Sequence, residues 1–114
     1  MLLVEDDVDT RELLARFLRD DGYDVEEAVD GEVALEAIMR ERPSVLITDC
    51  NLPNMSGNEL VELLALDDRL RLIPAIVVSA CAQATLPVNV RAFLAKPFKI
   101  EQLRVAIRAC LVAR

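Results

Sequence analysis

Four short apolar runs, separated by stretches of helical period, constrain this chain more than anything else in it. Leu2-Leu3-Val4, Val45-Leu46-Ile47, Ala75-Ile76-Val77-Val78 and Ala92-Phe93-Leu94-Ala95 have the length and continuity of buried strands. Tyr23, Val25 and Ala28, with polar residues between them, suggest another strand whose mixed character places it at an edge. Leu13, Leu14, Phe17 and Leu18 recur as one face of a first helix that Gly22 should end. Val33, Ala34, Ala37 and Ile38 mark a second helix from Gly31 to Glu41, which Pro43 keeps from running into the next strand. Leu60, Val61, Leu63 and Leu64 mark a third. A final helix from Ile100 to Val112 carries Leu103, Ala106, Ile107, Cys110 and Leu111 on one side, with Arg104 and Arg108 on the other. Alternation of this kind builds βαβ units, and right-handed crossovers then place helices on both faces of a parallel sheet. The expectation is a doubly wound α/β fold with five strands, occupying residues 1–114 as a single domain.

Bulk properties narrow the function. A chain of 114 residues has room for one core, burying roughly two thirds of the surface its unfolded form exposes. A membrane-spanning helix needs about 20 apolar residues, and the stretch from Leu72 to Ala82 is too short and is broken by Pro74. The net charge of −7 argues against a direct nucleic-acid reader, which needs clustered Lys and Arg to displace counterions from phosphates. The three cysteines, Cys50, Cys81 and Cys110, are odd in number, widely spaced and without a CxxC pair. That suits a reducing compartment, so a cytoplasmic protein is expected, with no direct membrane contact. The start has no signal-peptide pattern, so the Asn54-Met55-Ser56 sequon carries no expectation of glycosylation.

The chemistry is carried by the polar residues at the ends of the apolar runs: Glu5 and Asp6 after the first strand, Asp49 after the third, Ser79 after the fourth, Lys96 after the fifth. In an open α/β sheet, ligands bind in the crevice beyond the carboxyl ends of the strands. Three carboxylates meeting there repel one another unless a hard cation with oxygen ligands, such as Mg²⁺, joins them. A hydroxyl and an ammonium opposite that ion are what an anionic phosphoryl group requires. Asp7 and Asp9, by contrast, are expected only to complement or cap the first helix, with Asp9 the favoured cap. Lys99 reads as a surface charge.

Leu3-Val4-Glu5-Asp6-Asp7, Thr48-Asp49-Cys50-Asn51-Leu52-Pro53-Asn54-Met55-Ser56-Gly57, Ser79-Ala80 and Lys96-Pro97-Phe98 occur in an order that resembles the receiver domain of two-component response regulators, over essentially the whole chain. The resemblance implies a flavodoxin-like sheet of order 2-1-3-4-5. It implies Asp49 as phosphoacceptor and Asp6 as direct metal ligand, with Glu5 reaching Mg²⁺ through water and Asn51 offering its backbone carbonyl. It implies that Ser79 and Lys96 bind the phosphoryl group, that Phe93 is a switch aromatic and that the bond before Pro97 is cis. Such a domain catalyses its own phosphorylation and dephosphorylation and is not a metabolic enzyme. The chain contains no histidine, so its phosphodonor is a partner: a sensor histidine kinase, a histidine phosphotransfer domain or a small acyl-phosphate-like compound.

The chain departs from the family pattern between Ser79 and Lys96, where the connection is short and interrupted by Pro87. The helix usual between the fourth and fifth strands is expected to be shortened or irregular. The brief first strand and the stop after the last helix suggest a module of a longer multidomain protein, such as a hybrid sensor histidine kinase, with a stand-alone regulator as the other option. Two rivals stand beside the phosphorylated switch. A degenerate receiver would serve as a constitutive protein-docking module. A Mg²⁺-dependent aspartyl phosphatase would place a second acid where this chain has Asn51.

Overall fold

The computed structural model describes residues 1–80 and 87–112. Strand β1 (Leu2–Val4) leads through α1 (Val8–Asp20) to β2 (Glu26–Ala28), and α2 (Gly31–Arg40) leads to β3 (Leu46–Asp49). Helix α3 (Gly57–Ala65) and a 3-10 turn at Leu70–Leu72 precede β4 (Ala75–Ser79). Strand β5 (Val90–Ala95) and α4 (Ile100–Val112) are the last described elements. The strands form one parallel sheet in the order β2-β1-β3-β4-β5, as the resemblance implied. The expected shortened helix between the fourth and fifth strands, together with Cys81, falls in a stretch that lies outside the described residues.

Two apolar layers sandwich the sheet, and the period of two along each strand distributes side chains between them. Leu2, Val4, Leu46, Ala75 and Val77 point to the layer under α2 and α3, with Ala34, Ile38, Leu60 and Leu64. Leu3, Ile47, Ile76 and Val78 point to the opposite layer, where α1 and α4 supply Ala15, Leu18, Leu103 and Ile107. Both faces of the central strands are therefore buried, which explains why those runs read as continuously apolar.

Helix boundaries follow local chemistry. Asp7, not the expected Asp9, caps α1, its side chain accepting from the Thr10 amide at 2.9 Å. Asp9 sits inside the first turn, where its charge still meets the positive helix end. Past the other end, Gly22 takes φ +97°, a conformation glycine adopts without steric cost. Asp30 caps α2 and Ser56 caps α3. Three apolar residues assigned inward by the sequence face out: Leu13, Val33 and Leu63 are 52%, 39% and 43% exposed. Each flanks a stripe that is narrower than the hydrophobic spacing suggested.

The edges differ. β2 is confined to Glu26–Ala28, with Tyr23 and Val25 half-buried before it. Its charges block further strand pairing, and Arg40 holds Glu26 at 3.2 Å. β5 begins at Val90, two residues before the expected start, and is half-exposed along its length. Among the described residues no helix is long and apolar enough to cross a membrane.

Candidate functional site

Register decides which side chains meet. Val4 pairs with Thr48, Asp49 with Val78, and Val78 with Leu94. Alternation then puts Glu5, Asp49 and Lys96 on the same pleat as Leu3, Ile47 and Leu94, facing the α1 and α4 side. Ser79 and Phe93 fall on the opposite pleat with Val77. Phe93 is half-buried and packs against the core under α2 and α3.

Side-chain geometry reflects that placement. Carboxylate oxygens of Glu5, Asp6 and Asp49 all lie within 4.8 Å of one another. The Lys96 ammonium donates to Glu5 Oε1 at 3.3 Å and also bonds Asp49 Oδ2. The other Asp49 oxygen, Oδ1, accepts from the Asn51 amide at 2.9 Å. Asp6 is exposed and Glu5 is only 4% exposed, while the Asp49 side chain keeps 7% of its surface open at the crevice floor. Ser79 is fully buried at the end of β4, and its carbonyl accepts from the Lys96 amide at 2.8 Å, tying the two strand ends together. The Lys96-Pro97 bond is cis, as expected.

Electrostatics match a crowded acidic cluster with a single cation. Burial pushes the Glu5 carboxyl above its usual range, and the neighbouring Asp49 charge pushes the same way. Burial disfavours the Lys96 ammonium, but its bonds to Asp49 and Glu5 outweigh that and hold it above the ordinary lysine value. Octahedral Mg²⁺ with ligands at about 2.1 Å sets neighbouring oxygens about 3 Å apart and opposite ones about 4 Å apart. Three carboxylate oxygens within 4.8 Å therefore fit such an ion after small movements or with one interposed water.

The loop after β3 is built to hold this arrangement. The Gly57 amide closes it onto the Cys50 carbonyl at 3.0 Å, and a Cβ on Gly57 would collide with the Asp49 carbonyl. At its tip, Asn54 takes φ 66° and its side-chain amide donates to Asp30 Oδ2 at 2.9 Å. Asp30 Oδ1 at the same time accepts the Val33 amide at 2.8 Å, and this cap followed by the Asn54 bond holds its carboxyl below the usual range. On the other flank, Arg11 donates to the Glu5 carbonyl at 2.9 Å and pairs with Glu27 at 3.1 Å. Sequence reasoning missed Asp30, Asn54 and Arg11. An Asp immediately before Gly31 is a recognisable helix cap, whereas its partner in another loop, far along the chain, leaves no local signal.

The chain matches the family model described as the response regulator receiver domain over residues 1–108. It is 37% identical to the response regulator MprA of Mycobacterium leprae over 97% of its own length, and spans about half of that protein. An uncharacterised 14.6 kDa protein of Leptolyngbya boryana is 35% identical, with 97% of this chain and 89% of that protein aligned. Among solved structures, the receiver domain of a signal transduction histidine kinase from Syntrophus aciditrophicus superposes with a TM-score of 0.89 at 28% identity, covering 98% of this chain and 89% of that one. The response regulator TrrA of Thermotoga maritima, solved in complex with Mg(2+)-BeF, gives 0.86 at 25% identity with 96% of each chain covered. With sheet order, crevice and sequence in agreement, this chain belongs to the response regulator receiver domain family.

Proposed function

We propose that this domain is a phosphorylation-dependent signalling switch in which Asp49 accepts a phosphoryl group from a partner phosphohistidine. The observation that carries this assignment is the convergence of the Glu5, Asp6 and Asp49 carboxylates around one point, with Lys96 bonded to two of them. A carboxylate is a weak nucleophile toward phosphorus, and its attack becomes feasible where positive charge stabilises the transferring group.

In this proposal Asp6, Asp49 and the Asn51 backbone carbonyl would hold Mg²⁺, with Glu5 reaching it through water. When bound, the ion supplies neutralisation of negative charge on the phosphoryl oxygens. An Asp49 oxygen forms the new bond to phosphorus while the bond from phosphorus to the donor nitrogen breaks, and its electron pair leaves with the imidazole. The Lys96 ammonium, tethered by Glu5, transfers its bond from Asp49 to a phosphoryl oxygen. The Ser79 hydroxyl donates to another such oxygen once the group has arrived. The modified carboxylate adds about one negative charge at the rim. Ser79, the loop after it and half-buried Phe93 respond, and the surface offered to a downstream partner changes. Water then forms a new bond to the same phosphorus as the bond to the Asp49 oxygen breaks, releasing inorganic phosphate and restoring the carboxylate, which resets the switch.

The donor is assigned to a sensor histidine kinase or a histidine phosphotransfer domain. Residues 1–114 act as one receiver module, either within a multidomain parent or alone, and the cysteine spacing supports a cytoplasmic location. Intact-mass analysis after exposure to acetyl phosphate tests the chemistry. The native chain should gain one phosphoryl mass only with Mg²⁺ present, and Asp49→Asn should gain none. Label on Asp49→Asn would overturn the acceptor, and no label on the native chain would favour the constitutive docking module.

A further inference from the structure

The geometry points to Asp30 and Asn54 as a positioning pair that holds the loop carrying Asn51 in its metal-binding shape, an inference that rests on the Mg²⁺ site proposed above. Asn51 reaches that site through its backbone, so its carbonyl can be aimed only by fixing the loop. Three ties do so: Gly57 to Cys50 at the base, Asn51 to Asp49 at the start, and Asn54 to Asp30 at the tip. The first two lie within the loop or at its ends. The third fastens it to a different element, the start of α2.

The anchor is unusually firm for a surface loop. Asp30 is 7% exposed, and its two oxygens have separate duties: Oδ1 caps α2 through Val33, and Oδ2 receives the Asn54 amide. The cap fixes the carboxylate independently of the loop. Asn54 makes the contact from a left-handed backbone, a conformation uncommon outside glycine and enriched in Asn. Gly31 supports the approach, because a Cβ there would strike the Met55 carbonyl and Cβ, so loop and helix start touch with no space to spare.

Two substitutions separate positioning from bulk stability. Asn54→Gly deletes the amide that Asp30 accepts from, and the relief of backbone strain offsets that loss only in part, so Tm should fall modestly, by about 5–10 °C. Removing a partner that orients a metal ligand typically costs about tenfold or more in metal affinity. With the effect relayed through a loop backbone, Mg²⁺ affinity by calorimetry should fall about three- to tenfold. Amide hydrogen exchange over residues 51–56, measured without metal, should quicken in the same variant. The exchanged pair, Asp30→Asn combined with Asn54→Asp, restores the bond with its polarity reversed, since an amide oxygen at position 30 can still accept from Val33 and cap α2. It should recover loop protection and most of the affinity. An Asn54→Gly chain that binds Mg²⁺ within twofold of native would overturn the pair's role, as would an exchanged pair no better than Asn54→Gly. A native chain that binds no Mg²⁺ would instead overturn the metal site itself, a distinct result.

Discussion

At the scale of single residues, the site depends on where the chain lacks side chains as much as on where it has them. Gly57 and Gly22 show two different needs. Gly22 occupies φ +97° with open space around a built Cβ, so it answers only a conformational demand. Gly57 has an ordinary φ but no room, because its α-carbon lies against the backbone of Asp49 and Cys50. Gly22→Ala should therefore cost about 1 kcal/mol, the scale of a left-handed residue with a Cβ. Gly57→Ala should cost about 2 kcal/mol or more, since the strand end bearing the phosphoacceptor would have to move. Urea denaturation reads both costs. Acetyl phosphate labelling should slow in Gly57→Ala and stay near native in Gly22→Ala, because only one of the two displaces Asp49. Equal stability losses with equal labelling would show that the close approach at Gly57 has no bearing on the site.

At the scale of elements, burial decides what a helix face is, and spacing alone does not. Leu13 and Leu18 both fit the apolar period of α1, yet Leu18 is fully enclosed between α1 and the sheet while Leu13 is 52% exposed. Leu18→Ala should cost about 2–5 kcal/mol through lost contacts and the cavity left behind. Leu13→Ala should stay within about 0.5 kcal/mol, as surface changes usually do. Chemical denaturation of the two variants checks the contrast. The same distinction marks what the sequence made legible. Central strands announced themselves because both their faces are buried, and strand order came with the acidic and lysine motifs once these were recognised. β2 is shorter than the span from Tyr23 that the sequence suggests, because an edge strand alternates weakly, and β5 starts ahead of its apolar run, because Val90 and Arg91 lie at its half-exposed end. The rim acids and Lys96 are legible because each lies at or just past the carboxyl end of a strand. The Asp30–Asn54 and Arg11–Glu5 bonds are not, since they join segments whose proximity only the folded backbone creates.

At the scale of the whole molecule, a net charge of −7 and a local knot of three carboxylates predict different responses to ions. Diffuse self-repulsion is relieved by any salt in proportion to ionic strength, since screening acts over a Debye length of about 10 Å at 0.1 M. A formed site responds to one ion by mass action. Ligand binding to the folded state stabilises it by about 2.7 kcal/mol at a hundredfold excess over Kd. For a chain of this size that is a rise in Tm of about 10 °C. Sodium chloride at matched ionic strength should give less than about a third of that rise, because it screens the net charge without entering the cluster. Asp6→Asn should reduce the Mg²⁺ response toward the sodium value, since it removes the exposed member of the carboxylate trio while leaving the Lys96 bonds to Glu5 and Asp49 in place. Thermal melts across Mg²⁺ concentrations, with the sodium series alongside, decide between the two origins. If the two salts raised Tm equally in the native chain, the carboxylates would be only part of an acidic surface, and the case for a metal-dependent switch would lose its physical basis.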